Sequence, residues 1–351
     1  MKKFLAVVIA SVLLLSLCSC GGNTSSQKRI IIDTAGDTVE IPTEVKTVIN
    51  LVTYGGQVMV GLGLGDYLVG INVDTIESAW ISEMYPRINE ITQYDQEESA
   101  ESLLRAGADV VFVQEAEQAR DLRSKGITAV TIGYFTIEEM EHSIEMLGEI
   151  LGDSAKEKCD LYLDYLNSNI SLVSSSLDGK LDIKETLYYI NGVSNKGLYK
   201  TAGKGSTNWE VAELSYVDFA TASLIESPAN KVDAEAILAV NPENIIIGGV
   251  YQHVLYNELL STQEWRNNTA VVNGNVFKVP MGISAWNRYG IEIAIMIPWT
   301  TAMVYPELFN YDIVEETISF YETFTGYTLS EEQAEYILNG LTPTGEMEIA
   351  D

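Results

Sequence analysis

Residues Ala100 to Val113 (AESLLRAGADVVFV) and Ala234 to Ile247 (AEAILAVNPENIII) decide the fold, because the second stretch echoes the first. Each predicts a short helix, a tight turn and a wholly apolar strand. A strand without polar alternation is buried on both faces, which calls for parallel strands covered by helices. Two copies of this unit in different halves of the chain predict an α/β protein with two lobes of similar plan.

Further apolar strands are expected at Val45 to Leu51, Leu68 to Asn72, Ile127 to Ile132 and Thr186 to Asn191. From Asp153 to about Val173 no glycine or proline interrupts an amphipathic run, so one long helix should join the lobes. The expected division is a first lobe over 30–152, a linking helix over 153–178 and a second lobe over 179–351. Ligands of open α/β sheets bind beyond the carboxyl ends of the strands. The loops after Val113 and Ile247 should therefore face one shared cleft, a geometry suited to a small molecule.

The first residues read as an export signal. Lys2 and Lys3 precede an apolar run from Phe4 to Leu17, too short to span a bilayer, where about twenty apolar residues are needed. Leu17-Cys18-Ser19-Cys20 resembles a bacterial lipobox, which implies a signal peptide over 1–19 and a diacylglyceryl group on Cys20. Residues 20–29 then form a flexible polar tether. The protein is expected outside the cytoplasm, lipid-anchored to the bacterial cell membrane, as a monomer. With 50 acidic against 21 basic residues the formal charge is −29. Such a chain repels nucleic acid and anionic headgroups, so no nucleic-acid partner is expected and the tether must hold it at the membrane. Cys159 falls on the helical stripe Ala155, Cys159, Tyr162, Leu166, Ile170, Val173 and reads as a buried, inert thiol.

Several stretches in order resemble the iron-siderophore and cobalamin family of ATP-binding-cassette (ABC) solute-binding proteins. They are KRIIIDTAGDTVEIP (28–42), VKTVIN (45–50), GLGLGDYLVG (61–70), LRAGADVV (104–111) and WRNNTAVVNGNVF (265–277). The similarity runs from Ile30 to Asn339, and the segments Trp286 to Phe309 and Phe320 to Gly340 look like the terminal helices of members grouped with iron-complex uptake. The resemblance implies two Rossmann-like lobes, a backbone helix, limited hinge motion, and delivery of a captured chelate to an ABC permease with its ATPase. It also implies two permease-docking positions, here Glu210 and Gln57; the glutamine loses the charge-assisted part of a bond to arginine.

The residues expected to meet the ligand follow strand ends and are mostly aromatic: Tyr54, Trp80, Tyr85, Gln114, Tyr134, Tyr251, His253, Trp286, Arg288 and Tyr289. Aromatic rings offer rigid contact area to bulky chelates, and Arg288 could grip a carboxylate or catecholate with two bonds. A bare zinc or manganese ion is disfavoured, because only His142 and His253 are present. No cofactor is expected; the ligand expected is a ferric chelate of the siderophore class. Molybdate or tungstate, haem and a corrinoid are alternatives on the same architecture. Gly61 to Gly65 lacks the last glycine of a dinucleotide fingerprint, and Gly203 to Thr207 breaks the phosphate-loop spacing. A surface hydrolase is the alternative of another class, but no local triad signature supports an enzyme.

Overall fold

The computed structural model describes residues 27–192, 197–225 and 229–347. The export signal, Cys20 and most of the tether lie outside the described residues. A hairpin of β1 (Lys28–Ile32) and β2 (Thr38–Pro42) opens the fold. The first lobe then contains β3 (Val48–Asn50), β4 (Leu68–Asn72), β5 (Thr92–Tyr94), β6 (Val110–Val113) and β7 (Ala129–Thr131). All pair in parallel, in the order β5-β4-β3-β6-β7. The second lobe contains β8 (Thr186–Asn191), β9 (Lys200–Ala202), β10 (Asp218–Phe219), β11 (Ala229–Lys231), β12 (Asn244–Gly248) and β13 (Val276–Lys278). Its main sheet is parallel, in the order β10-β8-β12-β13, while β9 and β11 pair antiparallel beside it. The architecture is thus the two-lobed α/β plan expected.

The two repeats fold alike for the same local reasons. Helix Ala100–Ala106 starts where the Ser99 hydroxyl accepts from Ser102 N, and it ends at Gly107 in the left-handed region (φ 69°). Helix Ala234–Val240 starts where the Asp233 carboxylate accepts from Glu235 N and Ala236 N, and it ends at Asn241 (φ 52°). Such caps contribute about 1 kcal/mol each. In both units an acid just before the strand then pins its neighbour. Asp109 Oδ2 accepts from Lys46 N (2.8 Å) and Thr47 N (2.9 Å), and Glu243 Oε2 accepts from Thr186 N (2.9 Å). The threonine hydroxyl accepts in return from the acid's own N–H, at 3.0 Å in each lobe. β6 and β12 are buried along their whole length.

One helix, Asp153–Leu177, joins the lobes and buries the stripe containing Cys159, Tyr162, Leu166 and Val173. It packs on helix Ile137–Leu151 and on helix Ile293–Val304. The latter is apolar all round and almost wholly buried. Pro298 inside it has no N–H to give the Ala294 carbonyl four residues back. Asn169 of the linking helix supplies the missing donor, Nδ2 to Ala294 O at 2.8 Å. Among the described residues no helix is long and apolar enough to cross a membrane. The chain after Lys278 packs on the first lobe and the linking helix: the Ser78 hydroxyl donates to Gly282 O, Trp80 Nε1 to Leu341 O (2.8 Å), and the Phe324 ring meets Tyr162 edge-on.

Candidate ligand-binding cleft

Each sheet reverses its strand order beside its first strand, and there the loops at the carboxyl ends splay apart. In the first lobe the crevice lies between β3 and β6; Tyr54 follows the one and Gln114 and Glu115 follow the other. In the second it lies between β8, which ends at Asn191, and β12, which Gly249 follows. All of these residues line a cleft of about 480 Å³ between the lobes, and so do Tyr134, Phe135, Tyr189, Thr207, Asn208, Asn287, Arg288 and Tyr289. A side recess beside Glu77 and Asp74 shares Thr53, Tyr54 and Arg288 with it. Gly249 (φ 89°) lets the floor close: a Cβ there would press on the Gly192 backbone, which bonds back to Gly248 O at 2.6 Å.

The walls are phenols and amides. Tyr134 OH donates to Tyr289 O (3.0 Å), and the two rings meet edge-on at 6.0 Å. Asn287 Nδ2 donates to Tyr189 OH (2.7 Å), while Asn287 Oδ1 is buried without a partner. Gln114 Nε2 donates to Tyr134 O (3.3 Å). Burial pushes the Tyr189 phenol up to about 12 and raises Tyr134 and Tyr289 further, so all three stay protonated donors. Arg288 is already engaged: Nη2 meets Glu77 Oε1 at 2.8 Å, Nη1 donates to Tyr54 OH at 2.6 Å, and the guanidinium lies 5.5 Å from the Tyr54 ring centre.

The sequence profile of the periplasmic binding protein family matches residues 88–281, more than half of the chain. The chain belongs to the periplasmic binding protein family. It is of the iron-siderophore and cobalamin type, the substrate-binding component of an ABC importer and not an enzyme. A curated relative, the uncharacterized ABC transporter substrate-binding lipoprotein YvrC of Bacillus subtilis strain 168, is 22% identical over 88% of this chain and 100% of its own length. Among solved structures, a periplasmic solute binding protein of Veillonella parvula superposes with a TM-score of 0.79 at 24% identity, over 91% of this chain and 99% of that one. The molybdate-bound binding protein MolA of Haemophilus influenzae superposes with a TM-score of 0.73 at 21% identity, over 86% of this chain and 99% of that one.

The cleft of this binding protein gathers Tyr54, Gln114, Tyr134, Arg288 and Tyr289, but other residues expected there lie elsewhere. Trp80 and Trp286 are fully buried, the first against Leu341, the second donating Nε1 to Tyr321 OH at 3.1 Å. Tyr85 sits in a separate depression, its hydroxyl between Asp66 and Arg87. Tyr251 opens helix Gln252–Ser261 and gives its N–H to Gly192 O. His253 is pinned between Gly340 O (3.0 Å) and Lys278 Nζ (3.3 Å), and burial lowers its pKa.

Both residues carried over as permease contacts face inward. Gln57 is completely buried in helix Gly55–Gly61 and donates to Thr75 O (3.1 Å), so it presents nothing to a permease. Glu210 is half-buried in a clasp between the lobes, where Oε2 accepts from Tyr289 OH (2.9 Å) and Ile137 N (3.3 Å), and burial raises its pKa. Tyr189, Asn191, Thr207, Asn208 and Asn287 were not anticipated. The available signal was Tyr189 itself, a phenol near the end of a buried strand whose hydroxyl needs a partner.

Proposed function

We propose that this protein captures a ferric chelate of the siderophore class in its inter-lobe cleft, tethered outside the cell membrane by lipid on Cys20, and hands it to the importer's permease. The lining carries this reading. Phenols and amides from both lobes surround a space within the range of chelate-sized ligands, about 300–1,000 Å³. Among the described residues no three His, Cys, Asp or Glu side chains converge on a metal position, so a metal is expected here inside its own chelator. A molybdate or tungstate oxyanion would need converging cationic or N–H donors, and here His253 lies outside the cleft and Arg288 is matched by Glu77.

Isothermal titration of the soluble form, starting after Cys20, with ferric siderophores, haem, a corrinoid and molybdate tests the reading. Saturable binding of a ferric chelate, weakened by Asn287→Ala, supports it; saturation by molybdate, haem or corrinoid alone overturns it. For docking, the repeats supply a better pair than Gln57 and Glu210. Glu101 and Glu235 are the second residues of equivalent helices and both are exposed. Each helix runs antiparallel to the strand it precedes, which brings its N-terminus to the cleft end of the sheet. In the reconstituted importer, Glu101→Lys with Glu235→Lys should abolish ligand-stimulated ATP hydrolysis while leaving ligand affinity unchanged. Undiminished stimulation would exclude this pair.

A further inference from the structure

The electrostatics of the cleft narrow the ligand class, on the footing of the chelate reading above. Arg288 is the one basic side chain among the described residues lining it, and its charge is spent on Glu77, with side chains 30% and 19% exposed. Glu115 lines the same cleft with no ion-pair partner among the described residues, and Glu210 holds the rim through Tyr289 and the Ile137 N–H. The remaining polar lining is uncharged: Gln96, Gln114, Asn191, Thr207, Asn208, Asn287 and the phenols. One cation therefore faces several carboxylates, on a chain whose formal charge is already −29.

We propose that the cleft selects ferric chelates carrying no net negative charge, of the trihydroxamate kind, and rejects the tris-catecholate kind. Three singly charged hydroxamates neutralise a ferric ion, and a pendant amine makes the complex cationic; three doubly charged catecholates leave a trianion. A trianion entering this site would surrender its hydration without gaining a free counter-charge, and would meet Glu115 in the lining with Glu77 behind Arg288 in the side recess. A neutral chelate loses little. Its amide N–H groups, or a pendant ammonium, meet Glu115 and the Gln114 and Asn208 amide oxygens of the lining, and its carbonyls meet the phenols and the Asn and Gln amides. Discrimination comes from the repulsive element as much as from the attractive one.

The experiment is a titration of the soluble protein with three probes: a ferric linear trihydroxamate bearing a free amine, a neutral ferric trihydroxamate and a ferric tris-catecholate. The expected result is binding of both trihydroxamates, with the trianion about a hundredfold weaker or worse. Glu77→Gln, which releases Arg288, should narrow that gap by strengthening the trianion. Raising the salt on the unaltered protein should do the same, because screening weakens repulsion and leaves a neutral ligand unmoved. A trianion that binds as tightly as the trihydroxamates, or a gap indifferent to both Glu77→Gln and salt, overturns the inference and leaves the chelate reading standing. If no ferric complex binds while molybdate, haem or a corrinoid does, the chelate reading falls and this inference falls with it.

Discussion

Replacing Asn169 by leucine should expose how the linking helix is fastened. The leucine keeps the branching and the heavy-atom count but removes the donor that serves the Ala294 carbonyl at 2.8 Å, at a site only 6% exposed. That carbonyl has no intrahelical donor because Pro298 stands four residues on. A buried polar group left unsatisfied costs about 1–3 kcal/mol, which for a chain of this size is a fall of roughly 1–4 °C in Tm. The decisive comparison is a double-mutant cycle with Pro298→Ala. Alanine restores an N–H inside the helix, so in that background the carbonyl has its own donor and Asn169→Leu should cost little. Thermal and urea unfolding of the four proteins measure the coupling, expected at about 1 kcal/mol or more. Strictly additive effects would refute the account, because Asn169 would then be acting through something other than the proline's missing hydrogen bond.

Other buried groups give independent tests. Gly282→Ala would drive a methyl group into the Tyr321 hydroxyl, which Trp286 and Glu292 also contact, so it should destabilise by roughly 1–3 kcal/mol or more, and Tyr321→Phe in the same chain should recover part of the loss. Glu292 is fully buried and its pKa is raised by burial, against bonds from Ser284 and Tyr321. The folded state thus favours its protonated form; that contribution is full below the unfolded carboxylate's pKa and is lost as pH rises through the raised value. As pH rises above the ordinary carboxylate range, Glu292→Gln should lose less stability than the unaltered protein, and parallel curves would count against this. Cys159 is fully buried, with its thiol pushed up to about 12 by burial and then by Asp160. Ellman's reagent should leave it unmodified in the native soluble form and label it in denaturant; rapid native labelling would contradict that burial.

What could be read ahead of the structure was what local chemistry and topology dictate. The repeats were legible because helix caps, left-handed turns and apolar strands are short-range signals, and the cleft followed from where parallel strands must end. Tyr54 and Gln114 lie within four residues of a strand end, too little chain to carry them elsewhere. Trp80 fails for the complementary reason. Seven residues separate it from β4, room enough for a turn and the start of a helix, and a large indole with that freedom goes where it is buried and its N–H is satisfied. Gln57 departs from the docking role that the family resemblance implies because its neighbours enclose it. In GGQVMVG two glycines permit close approach on one side and apolar residues crowd the other, a pattern that places the glutamine inside. Position within the repeat is the stronger guide. A partner that meets both lobes can grip charges related by the same pseudo-symmetry as the lobes, and the echo from which the fold was read contains such a pair in Glu101 and Glu235, the docking pair proposed above.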